Sequence, residues 1–291
     1  MKPVTPKERV RCRPIAEGDL DAVAVLLAEG FRGRSRQAFR AGLERLTHRD
    51  VPTSAQRYGY CLDTGSRIVG AIVLIASARP VDGKPTIFCN VSSWYVIPDF
   101  RAYAQLLVSV ALRNKDFTYT NVTPAPHTWD IVERQGYTRY CSGLFFAAAI
   151  LAKPRAGAVI ERFGKPDHSA LPDFGMLKRH HDLGCDVVAA REGERLSGFV
   201  FRRYRIRSGR LALPAMFVLH TPDREQLVAL SGNFGRYFMR KAAPFLVMDA
   251  DGPVPGLTGV YTERRGRKYY RGPHRPALCD LADTEYAVFG V

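Results

Sequence analysis

The sequence predicts an α/β (α+β) protein made of two like domains, each a mixed, mostly antiparallel sheet flanked by helices. Three observations carry this expectation. The chain has 291 residues, which exceeds the usual single domain and suffices for two cores of about 100 to 200 residues each. Its first half alternates period-2 and period-3.6 apolar segments in the order β-α-α-β-β-β-α-β-α-β. Its second half echoes the later part of that plan: "GSRIVG" (65 to 70) by "GERLSG" (193 to 198), "PDFRAYAQLLVSVALR" (98 to 113) by "PDREQLVALSGNFGRYFMR" (222 to 240), and "GYTRYCSG" (136 to 143) by "GRKYYRGP" (266 to 273). The offsets are 128, 124 and 130. Such a period is too long for a solenoid and points to a duplicated unit.

Taken in order, "VRCRPI" reads as a short strand. Asp19 or Glu17 is placed to cap "LDAVAVLLAEGF", whose apolar residues recur at helical spacing. "SRQAFRAGLERLTHR" is a second amphipathic helix. "YGYCLD" and "IVGAIVLIASA" flank "TGSR", where Gly65 suits a hairpin turn. The strand "TIFCNVSSWYV", the helix "AYAQLLVSVALRN" and the strand "FTYTNV" follow. After a proline-rich loop come the helix "TWDIVERQ", with Gly136 as its C-cap, and a single last strand "RYCSGLFFAAAI". "KPRAGAVIERFGKP", rich in glycine, proline and charge, reads as the interdomain linker. Beyond it, "KPDHSALPDFGMLKRHHDLG" gives broken helices, and "CDVVAARE" with "RLSGFVFRRYRI" forms a hairpin. "RLALPAMFVLH" is a strand, "REQLVALSGNFGRYFMRK" one helix, and "PFLVMDAD" a strand.

Composition narrows the function classes. Apolar residues make up 46% and charged residues 24% of the chain, a folded and not a disordered profile. The start "MKPVTPKERVRCRP" has no apolar export core, and the apolar runs are shorter than a membrane span, so a cytoplasmic protein without a membrane partner is expected. Cys12, Cys61, Cys89, Cys141, Cys185 and Cys279 are dispersed, with neither C-x-x-C nor cysteine-histidine metal spacing, and read as small buried hydrophobes. Adjacent His180 and His181 point about 100° apart on a helix and cannot share one metal, so no metal site is expected. The net charge of +15 favours anions without choosing among them. Arginine-aromatic clusters at 31 to 36, 201 to 210 and 262 to 271 have the interleaving of single-strand nucleic-acid binders. Solvated, charge-blunted strand edges account for them more simply.

With its elements in this order, the first half resembles the GNAT superfamily of acyl-CoA-dependent N-acyltransferases. The likeness rests on "VRCRPIAEGDLDAVAVLLAEGF", "YVIPDFRAYAQLL" and "IVERQGYTRY", and covers about 140 residues. It implies two tandem GNAT-like domains, at 1–152 and 153–291, the second degenerate and shaping the acceptor site. It also implies acetyl-CoA or another acyl-CoA as substrate, with the donor diphosphate held where a strand turns into a helix and unpaired N–H groups meet a partial positive charge. The residues this implicates are Val96, Arg101, Ala102, Tyr103, Ala104, Gln105 and Leu106, with Asn121 toward the pantetheine amides.

The family's arginine-x-x-glycine-x-glycine/alanine turn appears here with Arg101, Ala104 and Leu106. Ala104 is compatible with a phosphate if its φ is negative. Leu106 is the sharper test: turned into the core it permits a phosphate, and turned outward it leaves the shape of a cradle without its function. The family's acid, a tyrosine in "L-Y-E-K-L-G-F", is replaced by Val132 in "I-V-E-R-Q-G-Y". Asn90 and Ser92 on the strand before the turn, Tyr119 on the neighbouring strand and His127 in "TPAPHTW" are the candidates for catalysis, His127 because an imidazole titrates near neutral pH. Trp94 and Tyr103 also suit packing. The expected function is N-acyl transfer, as an acetyltransferase, to a small-molecule or protein amine, by a monomer or homodimer. The alternative is a catalytically inactive GNAT-like binding or scaffold protein, and nucleic acid is the least favoured partner.

Overall fold

The computed structural model describes residues 9–208 and 211–290, so Gly209 and Arg210 of one basic cluster and the first eight residues lie outside it. Two compact units are present. The first runs to Asn121 and includes Gly272–His274; the second takes Val122–Arg271 and the chain from Arg275 onward.

The first unit begins with β1 (Arg11–Pro14), a 3-10 turn at Glu17–Asp19, α1 (Leu20–Gly30) and α2 (Arg36–Thr47). Asp19 does not cap α1. Its carboxylate accepts from Ala16 N–H and from Arg13 (Nη1 to Oδ2 2.5 Å), because the guanidinium is a stronger partner than a helix amide. Arg13 also holds Asp63 (2.8 Å), and its charge keeps both carboxyls below their usual range. α2 is capped by Ser35 Oγ, which accepts from Ala38 N–H at 3.2 Å.

Then come β2 (Gly59–Asp63), β3 (Ile68–Val81), β4 (Lys84–Val96), α3 (Ala104–Ala111) and β5 (Thr118–Asn121). Their order is β1-β2-β3-β4-β5, antiparallel except for the parallel β4–β5 pair. The β3–β4 hairpin turns at Asp82 and Gly83, both at positive φ (49° and 73°). An Asp-Gly pair accommodates that geometry. Pairing and alternation give the sheet two faces. Tyr60, Leu74, Cys89 and Tyr119 line one small cavity with the end of α3, so α3 covers that face. A side chain at Gly30 would run into the ring of Tyr95, so α1 ends against the other.

The second unit contains α4 (Trp129–Arg134), β6 (Thr138–Cys141), β7 (Gly143–Ala147), β8 (Ala158–Arg162), α5 (Phe174–Asp182), β9 (Asp186–Glu192), β10 (Arg195–Ser208), β11 (Leu211–His220), α6 (Arg224–Ala229), α7 (Ser231–Met239), β12 (Phe245–Ala250), β13 (Gly259–Thr262), β14 (Lys268–Arg271) and α8 (Glu285–Val288). Its sheet runs β13-β7-β12-β11-β10-β9-β8, and only the β11–β12 pair is parallel. β8 to β12 thus repeat the plan of β1 to β5. Phe199, Phe201, Phe234 and Phe238 fill its core.

Three expectations change here. "RYCSGLFFAAAI" is two strands parted at Ser142: β6 pairs with β14, while β7 pairs with β12 and β13. Gly143 permits this, since a side chain there would strike the Thr262 carbonyl. The predicted linker contains edge strand β8. The single helix after β11 is two, interrupted by a turn at Leu230 between Ala229 and Ser231. No helix among the described residues is long and apolar enough to cross a membrane.

Candidate functional site

The parallel β4–β5 pairing covers only three residue pairs, from Phe88↔Thr118 to Asn90↔Thr120. β5 ends at Asn121, while β4 continues to Val96, so the two strands part just beyond Asn90. At that point Asn90 is buried, and its Nδ2–H donates to the Thr120 carbonyl at 3.2 Å. Its amide pins the strands where they separate, a positioning task for a group with no useful basicity.

One step further β4 bulges. The register passes from Leu74↔Val91 to Ile72↔Trp94, so Ser92 and Ser93 stand opposite Val73 alone. A bulge disrupts the ladder locally and re-aims the backbone. Here it does so beside the opening between strands. Ser92 is 9% exposed, while Ser93, Trp94 and Tyr95 are all partly exposed. The indole Nε1 of Trp94 is buried without a hydrogen-bond partner among the described residues.

The turn after β4 is wound tightly. Pro98–Tyr103 form a 3-10 turn that runs directly into α3, with Phe100 N–H donating to the Ile97 carbonyl and Ala104 N–H to that of Arg101. Two of the amides that a phosphate would need, those of Phe100 and Ala104, are spent inside the turn. Ala104 meets its condition, with φ of −58°. Leu106 does not: it is 41% exposed and faces outward. Arg101, Ala102 and Gln105 are exposed, Tyr103 packs against Phe100 with ring centroids 6.4 Å apart, and Val96 lies over Gly70.

The remaining candidates are dispersed. Tyr119 pairs with Cys89 and faces the α3 side of the sheet, opposite to Asn90 and Ser92. It lines a cavity of about 80 Å³ with Tyr60, Leu74, Cys89 and Phe117. Burial pushes the Cys89 thiol up to about 12, so that cavity holds no ready thiolate. Asn121 is half-buried at the end of β5. His127 belongs to the second unit, on the exposed turn Pro126–Thr128. Val132, where the family's tyrosine would stand, is buried in α4.

The second unit has the same opening, filled from within. Its parallel pairing ends at Phe217↔Val247. Two residues past Phe217, Leu219 is the extra residue between Phe201↔Val218 and Val200↔His220. Asn90 therefore corresponds to Phe217, and Ser92 to Leu219. Both replacements are apolar, and neither is more than 1% exposed. The C-terminal segment covers them: Leu281 N–H donates to the Leu219 carbonyl at 2.8 Å, and the Tyr286 ring meets that of Phe217 edge-on at 4.9 Å. Cys279 N–H donates to Asp249, which forms a fully buried ion pair with Lys268 at 2.6 Å. His180 of α5 holds the same segment; its Nδ1–H donates to Met176 O and its Nε2 accepts from Asp283 N–H, which fixes one neutral tautomer. None of this was read from the sequence, because the segment after Pro276 has no periodicity.

The cluster "TERRGRKYYR" is solvated only in part, at Glu263, Arg264, Arg265 and Arg271. Lys268 and Tyr269 are buried, Tyr269 donates to Glu133 at 3.0 Å, and Arg267 lies 3.9 Å over the Trp129 ring.

No family model and no curated protein matches the sequence. Solved structures do match the fold. A GCN5-related N-acetyltransferase from Anabaena variabilis superposes with a TM-score of 0.60 at 10% identity, over 90% of this chain and 72% of that one. One from Kribbella flavida gives 0.56 at 15% identity, over 90% and 70%. The chain has the GNAT fold. A putative acetyltransferase from Pyrococcus horikoshii matches end to end, with a TM-score of 0.54 at 10% identity over 99% of this chain and 98% of that one. In GNAT terms the residues present fit a donor at its two ends differently. The polar opening and the unpartnered indole suit a pantetheine arm, while the wound turn with its outward leucine does not suit a diphosphate.

Proposed function

We propose that this GNAT-fold chain is an N-acyltransferase that takes the acyl group of an acyl-CoA-type thioester at the β4–β5 opening of its first unit and delivers it to an amine. One observation carries the reading: the opening is bulged in both units, but it is polar in the first, where Asn90, Ser92 and Ser93 line it, and apolar and filled by the chain's own C-terminal segment in the second. Duplication followed by closure of one copy leaves one working site. Fold alone does not assign activity, so the weight rests on this contrast.

The parts divide as follows. A backbone amide at the Ser92–Ser93 bulge is the group suited to polarise a thioester carbonyl, since a fixed donor costs no reorganisation. Asn90 holds the strands apart at a fixed distance by bonding Thr120 O. The Ser92 hydroxyl is suited to orient a water that takes the amine proton onward. Val132 cannot return a proton to the leaving sulfur. Water or the acceptor itself supplies that proton, and the step is then slow for the fold.

The test is release of free thiol from acetyl-CoA with panels of amino acids, amino sugars, polyamines and protein amines. Acceptor-dependent thiol release with matching N-acylation is expected. Absence of release at millimolar donor with every acceptor would sink transfer. A second reading, a catalytically inactive binding or scaffold protein, is favoured by Val132 and the outward Leu106; it requires that no acceptor-dependent thiol release occur.

A further inference from the structure

The first unit offers a GNAT donor one good grip and one lost grip, and the lost one is the phosphate end. Resting on the acyltransfer reading, we propose that the donor is held by its pantetheine arm at the β4–β5 opening, with Trp94 Nε1–H as a donor to an arm carbonyl, and that the nucleotide diphosphate is left unheld. Pantetheine thioesters that lack the nucleotide then serve as well as acyl-CoA does.

Four features of the first unit converge on this. A diphosphate needs several backbone N–H groups aimed at one point. Here the residues before α3 wind into a 3-10 turn, a winding that directs N–H groups to carbonyls three residues back, as Phe100 and Ala104 show. Phe100, Tyr103 and Leu106, spaced three apart, give the turn an apolar border in place of bare backbone, with Leu106 41% exposed. Arg67 is turned onto the Phe100 ring, 5.8 Å from its centroid. Arg101 remains the exposed cation of this turn, and a single flexible arginine is a weak substitute for a nest of amides. The arm side shows the reverse. Trp94 directly follows the bulge and pairs with Ile72, which puts it on the α3 face of the strand, the side opposite to Asn90, and its indole N–H is buried with no partner among the described residues. A buried N–H without an acceptor is costly, and the secondary amides of a pantetheine arm carry the carbonyls that would satisfy it.

Only two tryptophans are present, so Trp129→Phe leaves Trp94 as the sole indole emitter and its fluorescence reports the site directly. The experiment compares CoA with pantetheine, which lacks the nucleotide, by this signal and by calorimetry. A second comparison runs acetyl-CoA, S-acetyl-pantetheine and an acetylated carrier protein as donors, which separates the free and protein-borne sources of the arm.

Dissociation constants within about threefold for CoA and pantetheine are expected, because a held diphosphate would add charge-assisted bonds worth more than about tenfold. Trp94→Phe, which keeps the ring and removes the N–H, should weaken both ligands by the same factor, between about twofold and tenfold. CoA binding more than about thirtyfold tighter than pantetheine, with the difference abolished by Arg101→Ala, would overturn the proposal and leave acyl transfer standing. Unchanged affinity for both ligands in Trp94→Phe would overturn the part given to Trp94. Failure of both ligands to bind would overturn the transfer reading together with this inference.

Discussion

Lys268 shows how far a residue's environment can depart from its sequence neighbourhood. It sits in an arginine-rich run, yet it is 0% exposed and paired with an equally buried Asp249. Nearby negative charge outweighs burial and holds its ammonium above the usual lysine range. Removing one partner of such a pair strands the other. Lys268→Met is therefore expected to cost about 3 to 5 kcal/mol in urea unfolding, and adding Asp249→Leu should recover part of it, limited by the Cys279 N–H left without its acceptor. Full stability in the single variant would contradict the assignment. Glu161 gives a pH-dependent case. His168, then Arg191 and Lys165, hydrogen-bond its carboxylate and bring it down to about 2. A lowered folded pKa adds stability that is present above the unfolded value and is lost as pH falls through the folded one. Glu161→Gln should thus cost about 2 kcal/mol at pH 7, and the gap from the parent should close between about pH 5 and pH 2. A gap that does not narrow in acid would contradict it.

At the scale of elements, hairpins and caps were the legible part. "TGSR", the helix from Ser35 and the strand from Thr86 to Val96 all form where turn chemistry and alternation put them. Ser35→Ala is expected to lower stability by about 1 kcal/mol through loss of the cap to Ala38 N–H, read as a shifted urea midpoint. Elements whose character is decided by distant partners were not legible. β8 reads as linker because glycine and proline flank it, but β9 pairs with all five of its residues. β6 and β7 read as one strand because nothing local marks Ser142, and they part because their partners differ. The candidate site was half legible. The strand with Asn90 and Ser92 and the turn before Leu106 form where the pattern puts them, but the bulge leaves no mark in the sequence, since an extra residue in one strand has meaning only against its neighbour. Tyr119 was grouped with Asn90 on sequence order, and the pleat sends it to the opposite face.

Across the whole molecule, the two units show one plan with two outcomes. Each has an antiparallel run of strands ending in a parallel pair and a bulge two residues beyond it. The first keeps polar residues at the opening, and the second closes it with Leu281, Tyr286 and their neighbours. Ending the chain at His274 should remove burial worth about 5 to 10 kcal/mol, as much as a domain's whole stability. The second unit is then expected to lose cooperative melting and to bind a hydrophobic dye, and an unchanged melting curve would argue against the segment as a plug. The most direct measurement is a crystal structure of the full chain soaked with millimolar acetyl-CoA. Electron density for the pantetheine arm beside Ser93 and Trp94 of the first unit, with none at Leu219 of the second, is the expected result. Density at the second opening, or an empty first opening at that concentration, would contradict the account.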